Sequence, residues 1–314
     1  MTTWQHIENP RKGMVNEISS FINELEKDGK IFLPDLRQTE NLYLFSDYSA
    51  NKDQKLITYS ILILDEKSYN WFLSAQEKFW EEYSLDSKII EYKKLNDGPR
   101  KRALVAFLDL CNKINGLIFT IVIHKDTKSL YKDEIPVVLQ EQINVWKKKA
   151  VKEKILRLRE FILLILNGLG RQNQNVLWIT DNDEIVANEL QLFTANAIFK
   201  DILEKHLDFK IGTFELKTLD DDLPDKRFEK LCSLTDLIAG ALVDFLGDYH
   251  HEEIFPVEGE IANPITHVKL KVNPITNWLS KTEKETSLKK IVIKINEIGN
   301  NGLSIESYRF PEFI

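Results

Sequence analysis

Residues 116–124 read GLIFTIVIH, and this nearly continuous apolar run predicts a strand that is buried on both faces of a sheet. The stretch LITYSILIL at 56–64 is rich in residues that suit a pleated surface, and it predicts a second strand. A shorter strand is predicted at 42–47 (LYLFSD), followed by a turn at 48–53. The strands at 42–47 and 56–64 therefore form a predicted hairpin with a long loop.

The rest of the chain alternates between helical and strand patterns. Helices are predicted at 14–27, 68–83, 100–113, 136–166, 183–207 and 233–246. Further strands are predicted at 88–95, 176–180, 209–216, 289–295 and 303–310. An antiparallel meander followed by alternating helices and strands is typical of an α/β fold with a ribonuclease H-like mixed sheet flanked by helices. We expect an N-terminal helical extension (1–39), a ribonuclease H-like domain (40–249) and a C-terminal α+β or β appendage with a hairpin (250–314).

Composition excludes several classes of protein. The 314 residues are 43% apolar and 29% charged, so the chain can bury a core and is not a disordered protein. The N-terminus lacks a secretory pattern and no apolar run approaches the roughly 18 residues of a membrane span, so we expect a cytoplasmic protein with no membrane partner. A net charge of −7 argues against nonspecific coating of nucleic acid, but it is compatible with an enzyme that holds phosphates through metal ions.

Four acidic residues lie where the predicted fold can bring them to one edge of the sheet. Asp47 ends the first predicted strand, and Glu91 lies in the strand at 88–95. Asp181 ends the strand at 176–180, and Asp236 lies in the first turn of the helix at 233–246. Clustered carboxylates repel each other unless a cation neutralises them, and all-oxygen ligation suits Mg²⁺ or Mn²⁺. Such ions can support phosphodiester cleavage, so the pattern is compatible with metal-dependent phosphodiester chemistry at this edge of the sheet.

Four segments, in this order, resemble the motifs of a ribonuclease H-like family, the domain-of-unknown-function family 3800. They cover roughly 40–247 and read FSDYS (45–49), IIEYKKL (89–95), VLWITDNDE (176–184) and SLTDLIAGAL (233–242). The resemblance implies a metal-dependent phosphodiesterase or nuclease with the same four acidic residues as catalytic metal ligands, in a bacterial defence or mobile-element setting. The chain departs from the family pattern at three positions, where Tyr48 replaces Glu, Ala50 replaces Gly and Thr235 replaces Ala.

Each acidic residue also has a purely structural interpretation. Asp47 is of a type that favours turns, and Asp236 is of a type that favours the first turn of a helix, where it completes a near capping box and meets the helix dipole. Asp183 is a better candidate than Asp181 for the N-cap of the helix that follows it. These alternatives remain open at the level of sequence.

Lys93 has two interpretations. It lies two residues from Glu91, so on a strand the two side chains share a face and can form a solvated ion pair. Near a carboxylate cluster, Lys93 is instead a candidate catalytic residue that contacts the scissile phosphate.

Two basic stretches are candidates for binding nucleic acid, either DNA or RNA. Their residues are Lys93, Lys94, Arg100, Lys101 and Arg102 in the first, and Lys147, Lys148 and Lys149 in the second. Trp146 adjoins the second stretch and could stack on a base. The alternative interpretation is that both stretches are solvated helix faces.

The alternative function for the whole protein is a degenerate ribonuclease H-like module that binds nucleic acid or a protein partner without cleavage.

Overall fold

The computed structural model describes residues 3–7, 14–50, 55–125, 127, 137–221, 226–251, 271–281, 286–298, 302–308 and 310. Its helices are α1 (Met14–Lys27), α2 (Glu66–Glu82), α3 (Gly98–Cys111), α4 (Val137–Gln142), α5 (Lys149–Leu169), α6 (Glu189–His206), α7 (Arg227–His251) and α8 (Asn273–Ser280). Its strands are β1 (Asn41–Ala50), β2 (Leu56–Asp65), β3 (Gly116–His124), β4 (Asn175–Thr180), β5 (Phe214–Thr218), β6 (Leu288–Ile298) and β7 (Gly302–Ser307).

The chain is an α/β protein with a seven-stranded mixed sheet flanked by helices, in the strand order β5-β4-β1-β2-β3-β6-β7. β2 and β3 are antiparallel with Ser60 opposite Thr120, and β3 and β6 are parallel with Thr120 opposite Val292. β4 and β5 are also parallel, and β6 and β7 are antiparallel. The prediction of an α/β fold with a mixed sheet flanked by helices is confirmed. The C-terminal hairpin, formed by β6 and β7, supplies two strands of this sheet.

The chain divides into two compact units that interleave in sequence. The first comprises residues 1–43 and 128–221, and the second comprises residues 44–127 and 222–314. The three-part division expected from sequence stays a prediction.

The first unit is built around α1 and α5. The Trp4 ring is buried, and its indole N–H donates to the Ser19 hydroxyl at 2.9 Å. A Cβ placed on Gly168 of α5 would lie 2.4 Å from this ring, so only glycine allows the contact. Elsewhere in this unit Trp178 of β4 packs edge-on against Phe199 of α6, with ring centroids 4.7 Å apart.

The second unit is built around β2, β3 and α7. All residues of β3 except His124 are buried, which confirms that the GLIFTIVIH strand is covered on both faces. The Thr58 hydroxyl donates at 2.9 Å to the carbonyl of Ala239, so β2 and α7 are joined by a buried hydrogen bond. Ser60 and Thr120 form a second buried hydrogen bond, at 3.1 Å, between β2 and β3.

Several predicted helix boundaries are wrong, because side-chain contacts between elements decide them. The helix expected at 136–166 is two helices, since the chain turns at Trp146, whose indole N–H donates to the carbonyl of Ile185 at 2.8 Å. The helix expected from Asp183 begins at Glu189, because Asn188 caps it by accepting from the amide of Gln191 at 3.0 Å.

Two predicted strands also differ from the structure. The strand expected at 209–216 is β5, which begins later, at Phe214. The turn expected at 48–53 begins too early, because β1 continues through Ala50. Within the described ranges, no helix combines the length and the apolarity that a membrane crossing requires.

Candidate functional site

Asp47 lies inside β1, three residues before the strand ends at Ala50. Alternate residues of a strand face the same side, so Asp47 shares a face with Phe45. The Phe45 ring lies 6.3 Å from that of Phe228 on α7, which identifies the face that meets this helix. The turn interpretation of Asp47 is therefore wrong, and its carboxyl group belongs to the layer between β1 and α7.

Asp236 lies in the middle of α7, which begins at Arg227. Nine helical residues precede Asp236 in α7. Its carboxyl group is therefore too far from the start of the helix to cap it or to accept the unpaired backbone N–H groups of the first turn. Both the prediction that Asp236 lies in a first turn and its capping interpretation are wrong. The helix is longer than predicted because buried residues such as Leu231 continue its apolar face toward the N-terminus.

The two aspartates are in contact. A side-chain hydrogen bond joins Asp236 to Asp47. The Asp236 Oδ2 atom also accepts the backbone N–H of Tyr92 at 2.7 Å. Two carboxyl groups can hydrogen-bond directly only when one of them carries a proton, so the two aspartates share a single negative charge while this bond is present.

The environment of Asp236 opposes its negative charge. Burial raises the pKa of this carboxyl above its usual range, and the nearby Glu91 carboxylate raises the pKa further. The hydrogen bonds from Tyr92 and Asp47 and the ammonium group of Lys93 lower the pKa, but they do not offset the effect of burial. The structure thus places Asp47, Glu91 and Lys93 close enough to Asp236 for each of them to affect its charge.

Glu91 does not lie in a strand. Residues 88–91 have no regular structure, and Tyr92–Lys94 form a 3₁₀ turn, so the predicted strand at 88–95 is wrong. Two carbonyl groups of the segment 88–91 accept hydrogen bonds from side chains instead of from a neighbouring strand. Trp80 donates to the Lys88 carbonyl at 2.9 Å, and Arg100 donates to the Ile89 carbonyl at 2.6 Å.

The turn also changes the ion pair that the sequence suggested. The Glu91 carboxylate pairs with Lys94, three residues on, at 2.7 Å. The predicted pair between Glu91 and Lys93 assumed that both side chains share a strand face, and the 3₁₀ turn at Tyr92–Lys94 replaces that strand. Lys93 is exposed and is one of the charges that act on Asp236.

Sequence reasoning missed a group of residues around Tyr92. The Tyr92 hydroxyl donates to Asp244 at 2.6 Å, and its carbonyl accepts from the Lys271 ammonium group at 3.1 Å. Its ring lies against Gly240, the glycine of the segment LIAGAL in α7. That glycine was the one available signal, because a glycine inside a long helix indicates a close approach by another element.

Asp181 belongs to the first unit. It follows the last residue of β4, as predicted, and it is exposed. Its Oδ1 atom accepts the amide of Asn182 at 2.7 Å. Asp183, the competing N-cap candidate, accepts the amide of Ile185 at 2.8 Å and pairs with Lys154, so it does not cap α6.

Most of the basic candidates have exposed side chains, Lys94 among them despite its ion pair with Glu91. The exposed residues are Lys93, Lys94, Lys101, Arg102, Lys147, Lys148 and Lys149. Arg100 is engaged, since its side chain is 11% exposed and binds the Ile89 carbonyl and Asp97. Trp146 is 1% exposed, so the prediction that it stacks on a base is wrong.

The aspartate pair fits Mg²⁺ or Mn²⁺ in its donor chemistry. Among the residues that the structure describes, no three His, Cys, Asp or Glu side chains are grouped as a ready-made metal site. Mg²⁺ commonly uses one or two carboxylates and completes its shell with water and substrate phosphates, and Asp47 and Asp236 supply that number. No protein-family model matches the chain, and no curated protein is significantly similar to it.

Proposed function

We propose that the second unit carries the centre of a divalent-metal-dependent nuclease or phosphodiesterase with a ribonuclease H-like core. The observation that carries this proposal is the hydrogen-bonded pair of Asp47 and Asp236, one on a strand and one in the middle of a helix. Neither position gives the carboxyl group a structural role as a turn residue or cap. A divalent cation bound by both carboxylates would neutralise their two charges together.

The burial of Asp236 supports this function. A buried acid with a raised pKa, beside a second acid, lowers the stability of the fold when it ionises. Perturbed acids of this kind cluster at functional sites, where the charge is used. Oxygen donors favour Mg²⁺ or Mn²⁺ over softer transition metals.

Each side chain has a role in the proposed reaction. When bound, Mg²⁺ or Mn²⁺ supplies Lewis-acid stabilisation of the phosphodiester oxygens and lowers the pKa of water. Asp47 and Asp236 hold the cation, and the Tyr92 amide orients Asp236. Lys93 contacts the scissile phosphate through its exposed ammonium group. Glu91 is the further ligand of the proposal, since its carboxylate acts on Asp236 within the same unit.

The resemblance to the domain-of-unknown-function family 3800 belongs to the same proposal. It supplies the nucleic-acid substrate class and the setting in bacterial defence or mobile elements. The exposed lysines 93, 94, 147, 148 and 149 support nucleic acid as the substrate, because exposed cations can track a phosphate backbone.

Cleavage of labelled nucleic acids tests the proposal. Single- and double-stranded DNA and RNA are incubated with the wild-type protein in Mn²⁺, in Mg²⁺ and in EDTA. We expect cleavage that requires metal and is lost in Asp47→Asn and Asp236→Asn. Asp109→Asn is the matched control, because Asp109 is an exposed acid on α3 in the same unit. Metal-independent cleavage, or full activity in both site variants, would overturn the proposal.

A binding module without cleavage is the second candidate. The observation that favours it is Tyr48, which stands where the family has Glu and whose hydroxyl is bonded to Ser46 at 2.7 Å. In this case the protein binds nucleic acid or a protein partner with an affinity that EDTA does not change. Binding that persists in EDTA, with no cleavage in any metal, would favour this function.

A further inference from the structure

The backbone and the side-chain hydroxyl of Tyr92 are both hydrogen-bonded to the same helix, α7. Its backbone N–H donates to Asp236 at 2.7 Å, and its hydroxyl donates to Asp244 at 2.6 Å. Asp236 and Asp244 are eight residues apart on α7, which is about two helical turns, so they lie on one face. The tyrosine side chain therefore lies along the helix surface between them and is 5% exposed.

Gly240 lies midway between these two acids and makes the arrangement possible. A Cβ atom at this position would lie 2.3 Å from Cδ1, 2.5 Å from Cγ and 3.0 Å from Cβ of Tyr92. Real side chains never approach so closely, so any residue larger than glycine displaces the ring. The Tyr92 ring is therefore packed directly on the backbone of α7 at Gly240.

Lys271 also contacts both the ring and the backbone of Tyr92. Its ammonium group lies 3.7 Å from the centroid of the Tyr92 ring and donates to the Tyr92 carbonyl at 3.1 Å. A cation over an aromatic face is attractive, and here the same cation also fixes the backbone. The amide, carbonyl, ring and hydroxyl of Tyr92 are thus all engaged.

We propose that Tyr92 is the positioning residue of the aspartate pair: it aligns Asp236 through its amide and holds Glu91 and Lys93 beside that carboxylate, while Gly240, Asp244 and Lys271 fix its own place. This inference rests on the proposed function. Tyr92 does not touch the cation or the substrate, and it acts only through Asp236 and its two chain neighbours. Residues that orient metal ligands in this way affect metal affinity by about 10- to 100-fold.

Calorimetric titration with Mn²⁺ tests the role of the hydroxyl group. Tyr92→Phe keeps the ring and the amide and removes only the anchor on Asp244. We expect its Mn²⁺ affinity to fall by about tenfold. Tyr83→Phe is the matched control and should bind as the wild type does, because Tyr83 lies at the end of α2 and stacks on Phe79.

The dependence of cleavage on Mn²⁺ separates positioning from a loss of folded protein. Excess Mn²⁺ should restore the kcat of Tyr92→Phe, because the expected defect is in metal affinity. A merely structural defect lowers kcat at every Mn²⁺ concentration. Asp244→Asn should also behave as the wild type, since the amide oxygen still accepts the Tyr92 hydroxyl.

Asp244→Leu provides a second variant if Tyr92→Phe does not fold, and it should weaken Mn²⁺ binding in the same direction. Wild-type affinity in either Tyr92→Phe or Asp244→Leu would overturn the inference and leave the proposed function standing. A wild-type protein that binds no Mn²⁺, with or without a phosphodiester, would overturn both.

Discussion

The backbone N–H of Tyr92 donates a 2.7 Å hydrogen bond to the carboxylate of Asp236, although 144 residues separate the two in sequence. This bond joins an irregular segment of the chain to the middle of a long helix. It accounts for the absence of a strand at 88–95, because the amide that a sheet would use is directed at a side chain. It also places Glu91 and Lys93 beside the acid that the proposed function requires.

Asp236→Asn should stabilise the metal-free protein. Burial raises the folded-state pKa of Asp236, so the native state binds more protons than the unfolded chain between the ordinary pKa and the raised one, and stability falls as pH rises through that window. Asparagine carries no charge and keeps the oxygen that accepts the Tyr92 amide. We expect its free energy of unfolding in EDTA at pH 8 to exceed that of the wild type by about 0.5–2 kcal/mol.

Urea denaturation at several pH values measures this effect. The gain should shrink as the pH falls and vanish below the ordinary aspartate pKa of about 3.9, where the wild-type carboxyl is protonated in both the folded and the unfolded chain. Asp109→Asn, which removes the charge of an exposed acid on α3, is the control variant. An Asp236→Asn protein that is less stable than the wild type at pH 8 would contradict the prediction.

Mn²⁺ should raise the melting temperature of the wild-type protein. A ligand at 100 times its dissociation constant stabilises the folded state by about 2.7 kcal/mol. For a chain of 314 residues that corresponds to a shift of about 4 °C. Differential scanning fluorimetry should show the shift in the wild type and in Asp109→Asn, and not in Asp47→Asn or Asp236→Asn. Equal shifts in all four proteins would indicate binding elsewhere.

Gly240→Ala should destabilise the second unit. The new methyl group would lie 2.3 Å from the Tyr92 ring, so the ring or the helix must move. Overpacking of this kind costs about 1–3 kcal/mol. Gly98→Ala is the control, because its nearest neighbour is the end of the flexible Arg102 side chain at 3.4 Å. Chemical denaturation should show the loss in the first variant alone.

Lys93→Gln should weaken binding of nucleic acid in a salt-dependent manner. Loss of one phosphate contact reduces the slope of log affinity against log salt concentration by about 0.7–0.9. Fluorescence anisotropy with a labelled oligonucleotide in EDTA or Ca²⁺ measures this slope. Lys78→Gln, an exposed lysine on α2, serves as the control. An unchanged slope in Lys93→Gln would show that Lys93 is only a solvated surface charge.

Local pattern was sufficient for the elements whose own apolar residues decide their structure. β3 occupies Gly116–His124 as predicted, because nine residues without a helical period and with many β-branched members fit only a buried strand. α1 likewise occupies Met14–Lys27, as its spacing of apolar residues predicts. The acidic residues of the site could also be named from sequence, since Asp47 interrupts an apolar strand and Asp236 interrupts an apolar helix face.

Tertiary contacts decided what those residues do. The segment 88–95 carries a strand-like composition, yet Trp80, Arg100 and Asp236 bind its backbone and hold it in a turn. The sequence by itself determined the order of the elements and the presence of charged residues within apolar ones, because periodicity and charge are local properties. Only the tertiary structure decided that Asp236 is a buried partner of Asp47 and Tyr92, since burial and hydrogen bonding between distant residues depend on the packing of the whole unit.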